Sequence, residues 1–301
     1  MFNFASNKLD MSRYTMNQIV TLTGIKAHTL RKWETRYSFL EPERTNTNIR
    51  YYSDEQLKKL LNISVLTRNG YRISKIDKMS TSEIHDTITH HLIDGKPEDE
   101  ISALVISMIE LDEVKFDEIM KSLIIKKGLL ATTTEIIYPF LHQVGVLWGI
   151  NKVLPAQEHF ISSLIKKKML STIDLLPDPQ SDANSLLMFL TENEHHEIGL
   201  LLAYYIAREL GFRVYYLGAN VPTENIKQVV ESVAPKGMLT MFVTPTQDSL
   251  REKITAILDQ GGDVPLFVSG NPENLKDILD DKRVVHLSHP NQFIDELKKL
   301  K

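Results

Sequence analysis

The chain has 301 residues, a formal net charge of -4 and no cysteine. Its apolar fraction of 42% and charged fraction of 25% are those of a folded protein and exclude a disordered chain, while the lack of cysteine excludes disulfides, thiolate metal sites and a cysteine nucleophile. We expect a cytoplasmic protein of two or three domains without a membrane partner, because no apolar run approaches the roughly 18 residues of a membrane span.

The charge is distributed unevenly along the chain. Residues 1–76 contain 13 lysines and arginines against 6 acidic residues, so the remaining residues carry a net charge of -11. A basic amino-terminal segment on an acidic body predicts that one end of the protein meets a polyanion and the other does not.

The first elements predict a helix-turn-helix. Thr15 is placed to cap a first helix, Gly24 to supply a turn, and residues 26–36 to form a second, basic helix. This second helix carries side chains suited to phosphates and to the major groove, namely Lys26, His28, Thr29, Arg31, Lys32 and Arg36.

A polar hairpin at residues 40–53 follows, and Ser53 then starts a helix that runs to about Asn69. With the stretches Trp33-Glu-Thr-Arg36-Tyr37 and Arg50-Tyr51-Tyr52-Ser53, this arrangement resembles the winged-helix domain of the MerR family. The resemblance implies binding to double-stranded promoter DNA, and a basic helical hairpin that contacts protein is the alternative. The residues expected at the DNA are Thr15, Lys26, His28, Thr29, Arg31, Lys32, Arg36, Tyr37, Arg44, Arg50 and Tyr51.

Residues 82–175 predict helices throughout, in a bundle of about four. The segment contains no catalytic triad and no phosphate-binding glycine loop. Its candidate ligand-binding residues are Trp148 and the pair Glu158-His159 that follows it. Taken alone, the indole is expected in the core and the pair in solvent.

The carboxy-terminal segment alternates five short apolar strands with helices, which predicts a doubly wound, Rossmann-like parallel sheet. The strands are expected at residues 186–191, 213–217, 237–243, 265–268 and 283–287.

A polar turn follows the first of these strands and reads Glu194-x-His196-x-x-Gly199. Open parallel sheets bind ligands at the carboxyl ends of their strands. There the imidazole of His196 can reach a ligand while the carboxylate of Glu194 orients the ring, and Gly199 allows close approach to the first helical turn. A histidine that only makes surface hydrogen bonds is the alternative.

This turn resembles the cobalamin-binding signature Asp-x-His-x-x-Gly, with Glu194 in place of the aspartate. Together with Trp148 and Glu158-His159, it resembles the MerR-type cobalamin photoreceptor regulators, the CarH-like and LitR-like group. The resemblance implies that His196 is the lower axial ligand of cobalt, that Trp148 packs over the upper face, and that Glu158 and His159 make polar contacts there. The cofactor it implies is adenosylcobalamin or methylcobalamin.

The residues expected around the nucleotide tail of the cofactor depart from the family pattern. Thr240 stands in the third strand where the family has Ser-x-Leu, and Ser269-Gly270 keeps only one of two glycines after the fourth. A Cβ at Ser269 would crowd a deeply inserted tail. A domain that has lost its ligand and serves as an interface is therefore the alternative.

The sequence thus predicts a DNA-binding domain at residues 1–80, a helical cofactor-capping domain at 81–178 and a Rossmann-like domain at 179–301. We expect a regulator without catalytic activity that acts as a homodimer or homotetramer. The resemblance implies that cobalamin controls its assembly and DNA affinity and that, with an adenosyl group, light does so as well. A body that binds only a protein partner is one alternative. The cobalamin module of methyltransferases is the other, although it leaves residues 1–76 unexplained.

Overall fold

The computed structural model describes residues 13–37, 39–92, 96–149, 155–243, 250–275 and 280–301. The chain forms two compact units, Met1–Leu164 and Ile165–Lys301, each of which is described by itself. The predicted division into three domains stays a prediction.

The first unit begins with a winged helix, as its sequence predicts. Its elements are β1 (Tyr14–Thr15), α1 (Met16–Thr23), α2 (Ala27–Glu34), β2 (Glu43–Arg44), β3 (Arg50–Tyr52), α3 (Asp54–Arg68) and α4 (Ile73–Ile76). Thr15 and Ser53 cap α1 and α3 through capping boxes, and Gly24 makes the turn between α1 and α2 at a φ of 70°. Strand β3 is the middle of a small antiparallel sheet.

A helical bundle follows, in agreement with the periodicity of the sequence. It contains α5 (Thr81–Leu92), α6 (Pro97–Glu110), α7 (Glu113–Thr132), a π-helical turn (Thr133–Ile137) and α8 (Tyr138–Gly149). Helix α9 (Pro155–Asp174) follows and crosses the boundary between the two units. Gly128 interrupts α7 with a φ of 76° and a ψ of 166°, at the predicted break. No helix within the described ranges is long and apolar enough to cross a membrane.

Polar side chains fasten the winged helix to the bundle at the contact of α3 with α6. The carboxylate of Asp99 is fully buried and accepts hydrogen bonds from Arg68 Nε and Asn69 Nδ2, both at 2.7 Å. Arg68 also donates to Ser102 Oγ at 3.2 Å. At the solvent-exposed side of the same two helices, Lys58 Nζ lies 3.2 Å from Glu110 Oε1.

The second unit is a five-stranded sheet in which every strand pair is parallel, so the predicted doubly wound sheet is confirmed. Its elements are β4 (Ser185–Thr191), α10 (Ile198–Glu209), β5 (Arg213–Val221), α11 (Ile226–Val233), β6 (Gly237–Phe242), α12 (Leu250–Gly261), β7 (Leu266–Gly270), α13 (Pro272–Leu275), β8 (Val284–His286) and α14 (Pro290–Lys299).

The strand order is β5-β4-β6-β7-β8, so the direction of winding reverses between β4 and β6. Ligands of such sheets bind in the crevice outside the strands at this reversal. Strand β5 is longer than predicted because Gly218 and Asn220 adopt positive φ angles of 78° and 57°, which carry the strand through an irregular register to Val221.

Candidate functional site

The basic face of α2 points into solvent. His28, Arg31 and Lys32, which share one side of the helix by their spacing, are exposed, and Leu30 on the opposite side is fully buried. Lys26 and Arg36 are exposed at the two ends of this face. A helix with this distribution of charge is suited to lie in the major groove as a recognition helix.

Other residues predicted at the DNA also have structural tasks. The hydroxyl of Thr15 accepts the capping bond from the Gln18 amide at 3.5 Å. Tyr37 stacks on Phe39 with ring centroids 5.5 Å apart. Thr29 and Tyr51, like Tyr37, are half-buried.

The wing, formed by β2 and β3, is tied to α2 through a residue that sequence reasoning missed. The carboxylate of Glu34, the last residue of α2, contacts Arg50 Nε at 2.7 Å and accepts a hydrogen bond from the Tyr52 hydroxyl at 2.8 Å. Arg44 of β2 reaches it at 3.5 Å and also donates to Asn48 Oδ1 at 2.8 Å. In the sequence, the sign of this role of Glu34 was an acidic residue among the basic residues of α2.

In the second unit, Glu194 and His196 meet in the turn after β4, at the reversal of the sheet. Oε1 of Glu194 accepts from the amides of His195 and His196 at 2.9 and 3.1 Å and lies 2.7 Å from His196 Nδ1. Oε2 of Glu194 accepts from the amide of Val243, the residue after β6, at 2.9 Å. The glutamate thus bridges the two strands that flank the crevice.

This contact orients the imidazole of His196. When the ring is neutral, a carboxylate at Nδ1 favours the tautomer that carries its proton there, so that the lone pair is on Nε2 at the opposite edge of the ring. The His196 side chain is 58% exposed, whereas that of Glu194 is 6% exposed. A buried acid that holds an exposed imidazole is the arrangement expected of a metal-ligating histidine with its supporting carboxylate.

The edge around this histidine is stiffened by asparagines. Asn193 adopts a positive φ of 66°, and its amide donates to Asn220 Oδ1 at 3.0 Å. The amide of Asn220 donates in turn to the carbonyl of Glu194 at 3.2 Å. The exposed side chain of Val243 lies at the same carboxyl end of the strands. This end of the sheet therefore offers an apolar group beside a fixed imidazole.

Glu197 anchors the start of α10 next to the histidine. Its Oε2 lies 3.3 Å from Lys166 Nζ of α9, and its Oε1 accepts from the Tyr216 hydroxyl of β5 at 3.1 Å. Burial and the nearby charge of Glu197 raise the pKa of the Tyr216 hydroxyl, so the tyrosine remains a neutral donor. Gly199 is half-buried in the first turn of the same helix.

Two threonines place buried hydroxyls on one face of the sheet. Thr240 in β6 and Thr191 at the end of β4 are 0% and 1% exposed, and neither hydroxyl has a hydrogen-bond partner in the described part of the chain. The pairing of Met188 with Leu239 puts both threonines on the same face. An unpaired buried hydroxyl is costly, so this face is suited to a polar group supplied by a ligand. Thr191 was not predicted.

Two residues of β7 were predicted to lie near the nucleotide tail of the cofactor, and they pack against other residues of the protein. Ser269 and Gly270 are half-buried at the end of the strand. A Cβ on Gly270 would lie 3.0 Å from the carbonyl oxygen of Phe242, so a side chain there would require the neighbouring strand to shift by a few tenths of an ångström.

The remaining predicted cofactor residues lie in the first unit. Glu158 and His159 occupy the first turn of α9, where His159 Nδ1 is 3.5 Å from Glu158 Oε2 and the imidazole is 78% exposed. Trp148 falls in α8, and its side chain lies outside the described part of the structure.

Comparison with known proteins finds matches to two families along the chain. Residues 14–83 match the family described as MerR HTH family regulatory protein, and residues 100–170 match the family described as B12 binding domain. The Methanosarcina barkeri monomethylamine corrinoid protein has a similar fold, with a TM-score of 0.52 at 15% identity over 72% of this chain and 100% of that protein.

Two characterised relatives match over most of their lengths. The HTH-type transcriptional repressor CarH of Myxococcus xanthus is 25% identical over 296 residues, which is 94% of this chain and 97% of the relative. The HTH-type transcriptional repressor CarA of the same organism is 27% identical over 228 residues, 75% of each chain. The chain is therefore a MerR-type DNA-binding regulator joined to a cobalamin-binding domain.

Proposed function

We propose that this regulator binds promoter DNA through α2 and the wing, and that cobalamin held at His196 controls its assembly and its affinity for DNA. The observation that carries the proposal is the pair formed by Glu194 and His196, in which a buried acid orients an exposed imidazole at the reversal of the sheet.

The residues present fit the cofactor. The substitution of glutamate for the usual aspartate keeps the contact to Nδ1 at 2.7 Å, because the longer side chain folds back onto its own turn. The unpaired hydroxyls of Thr191 and Thr240 fit a ligand that brings its own polar groups into the sheet face. When bound, cobalamin would supply a cobalt atom whose ligands can exchange.

Each residue of the chain then has a defined task. His196 would offer a nitrogen lone pair to the cobalt, Glu194 would hold the ring, and Val243 would provide apolar contact beside it. Trp148, Glu158, His159, Gly199, Ser269 and Gly270 are the further residues proposed to bind the cofactor.

Control of DNA binding through assembly follows from the size of the DNA-binding module. One module makes few phosphate contacts, so useful affinity requires a homodimer or homotetramer that spans paired half-sites. Cobalamin shifts this assembly only if it binds one state better than the other. A response to light is proposed for the adenosyl form alone.

The experiment is reconstitution with adenosylcobalamin and methylcobalamin in dim light, followed by desalting and a visible spectrum. We expect the wild-type protein to retain a coloured cofactor with the spectrum of histidine ligation. The His196→Ala variant is expected to lose that spectrum, and His195→Ala, in the same turn, to keep it. A wild-type protein that stays colourless would favour the alternative, a body that binds a protein partner and no cofactor.

A further inference from the structure

We propose that Glu34 is a positioning residue that sets the wing against the recognition helix, and that Arg50 acts within the protein and not on a DNA phosphate. The inference rests on the proposed DNA-binding function and deepens it, because it separates the cations that contact DNA from those that shape the domain.

Glu34 lies on the inner side of α2. It follows the fully buried Leu30 by four residues, which places both on one face of the helix, and its side chain is only 6% exposed. A carboxylate in such a place is costly unless it is paired and hydrogen-bonded. Its contacts are therefore expected to be structural requirements of the domain.

Both oxygens of this carboxylate are used by the wing. Oε2 contacts Arg50 Nε and Oε1 accepts from the Tyr52 hydroxyl, and these two residues share one face of β3 because they are two positions apart. Arg44, the register partner of Arg50 on β2, reaches Oε2 as well. Burial and the hydrogen bond to Glu34 raise the pKa of Tyr52, so its hydroxyl remains a donor. One acid thus holds both strands of the wing.

This arrangement assigns different tasks to the cations. The guanidinium of Arg50 is 26% exposed and is neutralised by Glu34 at 2.7 Å. By contrast, Arg31, Lys32 and Arg36 are exposed, and no ion pair within the described residues engages them. Phosphate contacts are therefore expected from Arg31, Lys32 and Arg36, while Arg50 fixes the distance and angle between helix and wing.

The test uses the salt dependence of DNA binding, measured by fluorescence anisotropy on a duplex selected for binding to the full-length wild-type protein. Loss of one phosphate contact lowers the slope of log affinity against log salt concentration by about 0.9. We expect Glu34→Gln and Arg50→Gln each to weaken binding by about tenfold, the loss of a charge-assisted hydrogen bond, and to leave the slope unchanged. Arg31→Gln, the matched control, is expected to lower the slope.

The double variant Glu34→Gln/Arg50→Gln is expected to bind no more weakly than the weaker single variant, because both changes break the same contact. A slope for Arg50→Gln that falls as it does for Arg31→Gln, or losses that add in the double variant, would overturn the assignment. If Arg50→Gln does not fold, the Arg50→Lys variant replaces it in the test. A positioning role of Arg50 predicts weaker DNA binding by this variant at an unchanged salt slope. A phosphate contact by Arg50 predicts nearly wild-type DNA binding. Absence of salt-dependent binding by the wild-type protein would instead overturn the DNA-binding function, and this inference with it.

Discussion

The acid two residues before His196 is a glutamate, and its contacts extend beyond its own turn. In this chain the acid binds its own turn through two amides and reaches across the crevice to the amide of Val243 at 2.9 Å. The orientation of the imidazole therefore depends on the end of β6 as well as on the turn after β4. A carboxylate with three backbone donors is held firmly, which favours a fixed ring.

The unpaired hydroxyl of Thr240 gives a prediction at the same scale. Thr240→Val keeps the shape of the side chain and removes a buried polar group without a partner in the described residues, so we expect the free energy of unfolding of the cofactor-free protein to rise by about 1 kcal/mol. The same change is expected to weaken cobalamin binding. Chemical denaturation measures the first effect, and equilibrium dialysis the second.

Thr23→Val is the control for this measurement. The buried hydroxyl of Thr23 donates to the carbonyl of Ile19 at 2.7 Å and accepts from the amide of Ile25 at 3.2 Å, so its loss is expected to destabilise the protein and to leave cobalamin binding unchanged. A destabilising effect of Thr240→Val would show that its hydroxyl has a partner in the protein.

At the scale of elements, the contact between α3 and α6 joins the part of the chain that matches the MerR family to the part that matches the B12 binding domain. Two ion pairs, Arg68–Asp99 and Lys58–Glu110, link α3 to α6. The carboxylate of Asp99 is fully buried against Arg68 and Asn69, whereas the side chain of Glu110, the partner of Lys58, is 40% exposed. Burial of the acid decides the difference in energy, since water screens the second pair more than the first.

We expect Asp99→Ala to lower the free energy of unfolding by about 3 kcal/mol, because it leaves Arg68 without its buried partner. Lys58→Ala, on the same two helices, is expected to cost at most about 1 kcal/mol. Urea unfolding of both variants measures the difference. Equal losses would contradict the assignment of the α3–α6 contact to Asp99.

At the scale of the whole molecule, the distribution of charge separates the two binding tasks. Residues 1–76 contain 13 basic and 6 acidic residues, whereas the rest of the chain has a net charge of -11. Electrostatic attraction therefore favours DNA at the amino-terminal segment. Helix α2 and the turn of Glu194 and His196 belong to different compact units. The proposed control of DNA binding by cobalamin acts through the assembly of subunits.

Size-exclusion chromatography with light scattering tests this control. We expect adenosylcobalamin added in dim light to change the molar mass of the protein, and illumination to reverse or alter that change. The His196→Ala variant is expected to show neither effect. A molar mass that is the same with and without cofactor would contradict control through assembly.

Local sequence determined much of this architecture. Capping residues such as Thr15 and Ser53, the turn at Gly24 and the alternation of apolar strands with helices act over a few residues, and each was predicted and found. The spacing of Glu194 and His196 likewise placed both at the end of a strand.

Only the tertiary structure decided which distant groups meet: Glu34 with Arg50 across 16 positions, Arg68 with Asp99 across 31, and Glu194 with Val243 across 49. Periodicity reports the face of an element, but it cannot report the partner, because packing selects that partner from residues far away in the chain.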